Sequence, residues 1–178
     1  GTLPGLWVIP TWIKKELPVF KNNPDWIARY PNGEYAVTSN WIDGESHGID
    51  ITNPKAVDFA VSTVKSLYEK GIRYFKIDFN VFYVNGHTSY SSKLTSLQAY
   101  RRLFSAYRAV APKAYINAST ASLNRGVIGY ADSCRIAADV DRDWKTRGDN
   151  ITIYQQMPSC AIKAFANGVL FYNDPDVL

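Results

Sequence analysis

Two periods of hydrophobic and polar residues run through this chain. Around Tyr74-Phe75-Lys76-Ile77-Asp78-Phe79-Asn80 the period is two, with aromatic and β-branched residues interleaved with Lys76 and Asp78. Such a run reads as a buried strand. Upstream of it, Val57, Ala60, Val61, Val64, Leu67 and Tyr68 recur at helical spacing. Asn53 stands where an N-cap belongs, Pro54 at the first helical position and Gly71 at the C-terminal end. Downstream, the helical period returns in Leu97, Tyr100, Leu103, Phe104, Tyr107 and Val110, capped by Thr95 or Ser96 and stopped by Pro112. Arg101, Arg102 and Arg108 fall off that stripe and read as a solvated face.

Shorter runs complete the pattern. Residues 3–10 read as a short buried strand that Pro10 stops. Residues 114–119, 131–136 and 168–172 are further strands, and a third helix is predicted within 151–167, begun or interrupted near Pro158. Residues 11–51 show no clear period and are broken by Pro18, Pro24, Pro31 and Asn32-Gly33. Their Trp12, Trp26 and Trp41 predict an ordered loop, with Ile49-Asp50-Ile51 as a short strand or its last anchor. Residues 81–94 read as a polar loop. The alternation of strands and helices predicts an α/β fold with a parallel sheet, either doubly wound or part of a barrel.

Composition narrows the classes. The chain has 178 residues, 46% of them hydrophobic and 14% aromatic, enough for one domain with a sizeable core. Five Trp and twelve Tyr can fill a core, and they can also offer flat faces to sugar rings. The formal charge of +4 comes from scattered basic residues, which does not favour nucleic acid. No apolar run reaches transmembrane length. Two cysteines, Cys134 and Cys160, and two histidines, His47 and His87, match neither a disulfide framework nor a metal signature.

Chemistry gathers where strands end. Lys76 and Asp78 are two residues apart and share a face. Burying that pair costs several kcal/mol unless it is paired or functional. It is either a catalytic carboxylate with its cation or a buried ion pair that steadies a loop. Polar residues recur at the other strand ends: Trp7, Asn117 with Ser119, Arg135 with Asp139, and Asp174 with Asp176. Trp7 suits a core filler or a sugar platform. Repetition at consecutive strands is the pattern of a barrel with its site on the C-terminal face. Two carboxylates from different strands suit glycoside hydrolysis, in which one attacks the anomeric carbon and the other protonates the leaving oxygen. A cation beside Asp78 suits a nucleophile. Asp139 would be the acid/base, with Arg135 binding a sugar hydroxyl or holding Asp139, unless the two form a loop salt bridge.

Five stretches, in order along the chain, resemble the α-galactosidase clan, most of all glycoside hydrolase family 36. They are Pro4-Gly5-Leu6-Trp7, Asn23-Pro24-Asp25-Trp26, Gly71-Ile72-Arg73-Tyr74-Phe75-Lys76-Ile77-Asp78-Phe79, Asp132-Ser133-Cys134-Arg135-Ile136-Ala137-Ala138-Asp139 and Asn173-Asp174-Pro175-Asp176. The resemblance implies a retaining α-galactosidase-like enzyme on a (β/α)8 barrel, acting through a covalent glycosyl–aspartate intermediate. It places the nucleophile on Asp78, the acid/base on Asp139, and sugar-binding groups on Trp7, Trp41, Lys76, Arg135 and Asp176. Asn117 joins them from its strand end. The implied substrate is an oligosaccharide or glycoconjugate, with no metal or organic cofactor and with a homo-oligomer left open.

Typical barrels need about 250 residues, so the resemblance covers about strands three to seven. Residues 1–178 are expected to be one partial barrel domain, an excerpt of a longer chain. The aspartate pair that holds the galactose 4- and 6-hydroxyls in the family has no counterpart here. Where the family often has Cys-Gly, near the sugar's 2-position, this chain reads Asn117-Ala118-Ser119-Thr120. That leaves α-N-acetylgalactosaminidase and raffinose-type transglycosidase as alternatives within the class, and a non-catalytic carbohydrate-binding barrel fragment outside it.

Overall fold

In the computed structural model, residues 1–36, 38–40, 44–79, 93–119, 125–140 and 153–175 are described. Chain order runs β1 (Gly5–Val8), β2 (Trp12–Lys14), α1 (Pro18–Asn22), β3 (Thr38–Ser39), β4 (Ser46–Gly48), α2 (Pro54–Glu69), β5 (Tyr74–Ile77), α3 (Ser96–Val110), β6 (Tyr115–Ala118), β7 (Ser133–Arg135), α4 (Ile153–Ile162) and β8 (Tyr172–Asp174).

The helices form where local signals specify them. The Asn53 side chain accepts the Lys55 N–H, and Pro54 follows at N1. Gly71, at φ 102°, ends α2, and the amides of Gly71 and Ile72 bond back to Tyr68 and Leu67. That is a Schellman cap, whose left-handed residue glycine adopts without a Cβ penalty. Thr95 and Gln98 close a capping box at the start of α3. Of the predicted stripe of α3, Tyr100, Leu103, Phe104 and Tyr107 are sealed from solvent and Val110 is partly buried, while Leu97, in the first turn, is exposed.

β1, β5, β6, β7 and β8 form one sheet in that order, every pair parallel. Each strand pairs with the next one in the chain to join this sheet, as a barrel requires; a doubly wound sheet reverses its order part-way. Register places Trp7 beside Lys76, Lys76 beside Asn117, Asn117 beside Ser133 and Ser133 beside Tyr172. Side chains alternate, so this row lies on one face of the sheet. Phe75, Ile77 and Ile116, wholly buried, point to the other face and join α2 and α3 in the core.

Several expectations change. Residues 11–51 are not one irregular loop: they contain α1 and a second, antiparallel sheet of order β2-β4-β3. These strands of two or three residues are too short to show a period, and they pair across long stretches, Trp12 with Gly48. Among the described residues β1 pairs with β5 alone, as the edge strand of this sheet, and Leu6 and Trp7 are exposed here where a buried strand was expected. The last strand lies later than predicted, at Tyr172–Asp174, because Gly168 (φ 72°) turns the chain and bonds to the Phe171 carbonyl. Two of the arginines on α3 are not merely solvated. Arg108 donates to the Tyr130 and Ala114 carbonyls and to Asp132, and Arg101 donates to the Ile128 carbonyl over the Tyr130 ring. Asn80 and nearly all of the predicted 81–94 loop lie outside the described residues.

Candidate active site

Asp78 directly follows β5 and is 6% exposed. Its backbone N–H donates to the carbonyl of Val8, the last residue of β1, at 3.0 Å, which carries the ladder one residue past the end of β5. Its side chain holds two donors. The Trp7 indole Nε1–H donates to Oδ2 at 2.8 Å, and the backbone N–H of Phe79 donates to Oδ1 at 2.7 Å. Each carboxylate oxygen therefore has its own N–H donor, which satisfies a buried charge and fixes the plane of the group.

Phe79 has φ 57°, the only left-handed non-glycine residue among those described. A bulky side chain in that region costs of order 1–3 kcal/mol and persists only where its surroundings over-determine it. Here its ring meets Trp12 of β2 edge-on, with centroids 5.4 Å apart at 62°.

The other predicted residues fall into place around this carboxylate as follows. Lys76, half-buried, lies one step back on the same face of β5, in register with both Trp7 and Asn117. Trp7, on the edge strand of this part of the barrel, is 46% exposed, and its N–H is committed to Asp78. Arg135 ends β7 nearly buried and pairs through Nη2 with Oδ1 of Asp139, whose side chain is 70% exposed. The pair is thus an anchored cation holding an accessible carboxylate. Asn117 is buried, and its amide donates to Asp174 Oδ2 at 2.6 Å and to the Tyr74 hydroxyl at 3.0 Å, so it ties β6 to β8 and β5. Trp41 and Asp176 lie outside the described residues.

Sequence reasoning assigns no role to three supports, of which it singles out only Asp174, as a polar strand end. Asp174, in register with Arg135, carries the link to Asn117. Phe79 supplies a backbone donor that no side-chain pattern announces. The segment bearing Asp139 is held by α4 and the residue after it: Gln156 accepts the Ala138 N–H, while Ser159 and Lys163 both donate to the Ile136 carbonyl. These three polar residues recur at helical spacing, and that spacing is the signal that could have found them.

Comparison with known proteins gives this arrangement a family. The sequence profile of the melibiases matches residues 2–122 of the 178. The chain belongs to the melibiase family. The match takes in Trp7, Lys76, Asp78 and Asn117 and stops before Arg135 and Asp139. Among solved structures, this melibiase-family chain is similar to the α-galactosidase TtGalA from Thermus thermophilus, solved in complex with stachyose, at 23% identity and a TM-score of 0.73. That likeness covers 97% of this chain and 38% of TtGalA. It is also similar to the glycoside hydrolase family 36 α-galactosidase AgaA from Geobacillus stearothermophilus (20% identity, TM-score 0.52, 73% of this chain and 19% of that one). The glycoside hydrolase domain of PelA from Pseudomonas aeruginosa shares 9% identity with a TM-score of 0.58, over 82% of this chain and 54% of that one. Likeness at these identities shows the fold. The five parallel strands are part of a (β/α)8 barrel of the α-galactosidase clan, and the chain spans little more than a third of TtGalA's length.

Proposed function

We propose that the protein to which these residues belong is a retaining glycoside hydrolase that removes terminal α-galactosyl or closely related α-linked sugars, with residues 1–178 as one part of its catalytic barrel domain. The observation that carries the reading is the carboxylate of Asp78, buried at the end of β5 with a separate N–H donor on each oxygen. Asp139, held by Arg135 at the end of β7 with its carboxyl open to solvent, supplies the second acid.

The chemistry follows from those placements. A carboxylate oxygen of Asp78 attacks the anomeric carbon as the glycosidic bond breaks, and Asp139 gives its proton to the leaving oxygen. A sugar ester of Asp78 results. Asp139, now a carboxylate, takes a proton from water, whose oxygen displaces Asp78 from the anomeric carbon and restores both groups. The exposed Trp7 ring offers a stacking surface to the sugar, while its N–H keeps Asp78 in line. The cations of Lys76 and Arg135 supply hydroxyl-binding charge, with Trp41 and Asp176 proposed as further sugar contacts on the strength of the resemblance. An oligosaccharide is the substrate class, as stachyose is the ligand bound to TtGalA.

The test is turnover of nitrophenyl α-galactoside, α-N-acetylgalactosaminide and α-glucoside by the full-length protein, beside its Asp78→Asn form. We expect one sugar to be hydrolysed and the substitution to cost at least about a thousandfold in kcat while sugar binding survives. Hydrolysis of the N-acetylgalactosaminide would assign the Asn117-Ala118-Ser119-Thr120 segment to a 2-acetamido group. Binding without turnover of any α-glycoside would reject the hydrolase in favour of a carbohydrate-binding barrel.

A further inference from the structure

We propose that Phe79 is a positioning residue for the Asp78 carboxylate, and that Trp12 of the second sheet is the clamp that keeps it so. The inference rests on the reading of Asp78 as nucleophile and adds how the fold aims it. Of the two donors on Asp78, one is a side chain from β1 and the other is the peptide N–H of the very next residue. A peptide N–H reaches its neighbour's carboxylate only for a particular setting of the plane between the two residues, and that plane is coupled to the φ of Phe79. At φ 57° Phe79 occupies a region that a large side chain leaves unless held. The Phe79 ring is held: it meets the edge of Trp12. Trp12 in turn belongs to a strand pinned into the β2-β4-β3 sheet, and the Ile49 N–H on the Thr11 carbonyl (2.9 Å) pins the residue just before it. With its ring fixed, Phe79 can relax its φ only by turning the peptide plane before it, which would swing the N–H away from Oδ1. The small sheet therefore acts as a strut that stores local backbone strain and spends it on the orientation of one carboxylate.

The arrangement explains why an aromatic residue stands where glycine would be cheapest. Glycine would accept φ 57° freely but would not be anchored, and alanine would be neither comfortable nor anchored. The two substitutions separate the effects, because both remove the ring and only one tolerates the backbone.

The experiment measures kcat, KM and the pH profile of kcat/KM for the full-length enzyme on the α-glycoside it turns over, for Phe79→Ala, Phe79→Gly and Trp12→Leu. Phe79→Ala is expected to lose kcat about tenfold with KM within about twofold. The acid limb of its profile should move to higher pH, because an N–H that favours the charged carboxylate is lost. Phe79→Gly should stay within about threefold of the parent with its acid limb in place. Trp12→Leu, which leaves Phe79 untouched, should reproduce the acid-limb shift and carries the test should Phe79→Ala not fold. Equal losses in the alanine and glycine forms with no movement of either acid limb, or an unmoved limb in Trp12→Leu, overturn the assignment while leaving the hydrolase intact. Absence of turnover by the unsubstituted enzyme overturns the hydrolase reading and this assignment together.

Discussion

Asp78 is served by two donors of different kinds, and the indole donor can be deleted without deleting its ring. Trp7→Phe keeps an aromatic face for stacking and removes the 2.8 Å N–H bond to Oδ2. A hydrogen bond to a charged group is worth about 1.5–3 kcal/mol. Because that bond aims the nucleophile, its loss should lower kcat roughly tenfold while KM changes little. Steady-state kinetics decide the matter: a rise in KM at constant kcat would make Trp7 a sugar platform alone. Arg135 illustrates the same economy. Its buried guanidinium pairs with a carboxylate that is itself open to solvent, so the cation is rigid and the acid accessible.

The antiparallel β2-β4-β3 sheet is an element with its own acid weakness. At its centre His47 is sealed from solvent against the rings of Phe20 and Tyr35, which also touch each other. The Thr38 hydroxyl lies 3.0 Å from Nδ1 and Glu45 Oε1 lies 2.9 Å from Nε2. The ring thus has the Thr38 hydroxyl at Nδ1 and the Glu45 carboxylate as a charge partner beside Nε2. Burial pushes the His47 pKa below its usual 6.5, Glu45 opposes that shift, and Lys15 and Arg29 reinforce it. The unfolded ring thus binds a proton at higher pH than the folded one. Between the two values the unfolded state holds more protons, so stability rises with pH there and is lost as pH falls below about 6.5. The thermal midpoint should therefore drop between about pH 8 and about pH 5, and drop less in His47→Gln. Equal slopes for the two proteins would show that the imidazole is not the group responsible. Because Trp12 ends this sheet against Phe79, softening of the element at low pH would also be felt at Asp78.

At the scale of the whole molecule, the sheet has two free edges among the described residues, β1 and β8, and apolar side chains cluster beside them. Leu3 and Leu6 flank one edge, and Phe165, Val169 and Tyr172 flank the other, all exposed. The complete barrel also decides the catalytic distance. In a crystal structure of the full-length protein carrying a trapped glycosyl group, the Asp78 and Asp139 carboxyls should stand about 5–5.5 Å apart, and a separation beyond about 8 Å would exclude retention. Much of this architecture was legible in residues alone. Asn53-Pro54 with Gly71, the Thr95 cap, and the periods of α2 and α3 are local preferences, set by neighbours a few residues away, and they emerged where expected apart from the exposed Leu97, whereas the strand expected over residues 74–80 ends at Ile77 because Phe79 turns left-handed. Asp78 and Asp139 stood out for the same reason, as charged groups at the ends of apolar runs. What required the tertiary structure was pairing across distance. Strands of two or three residues carry no measurable period, so β2, β3 and β4 appeared only once Trp12 met Gly48. Val169 and Leu170 looked like strand and proved to be a turn, because apolar character cannot report a glycine's φ. The bond from Trp7 to Asp78, 71 residues apart, and the left-handed Phe79 braced on Trp12 exist only because a crossover brings β1 beside β5. Local sequence specifies which residues can form an element and which carry charge; the positions of donors around a carboxylate are set by contacts that only the folded chain makes.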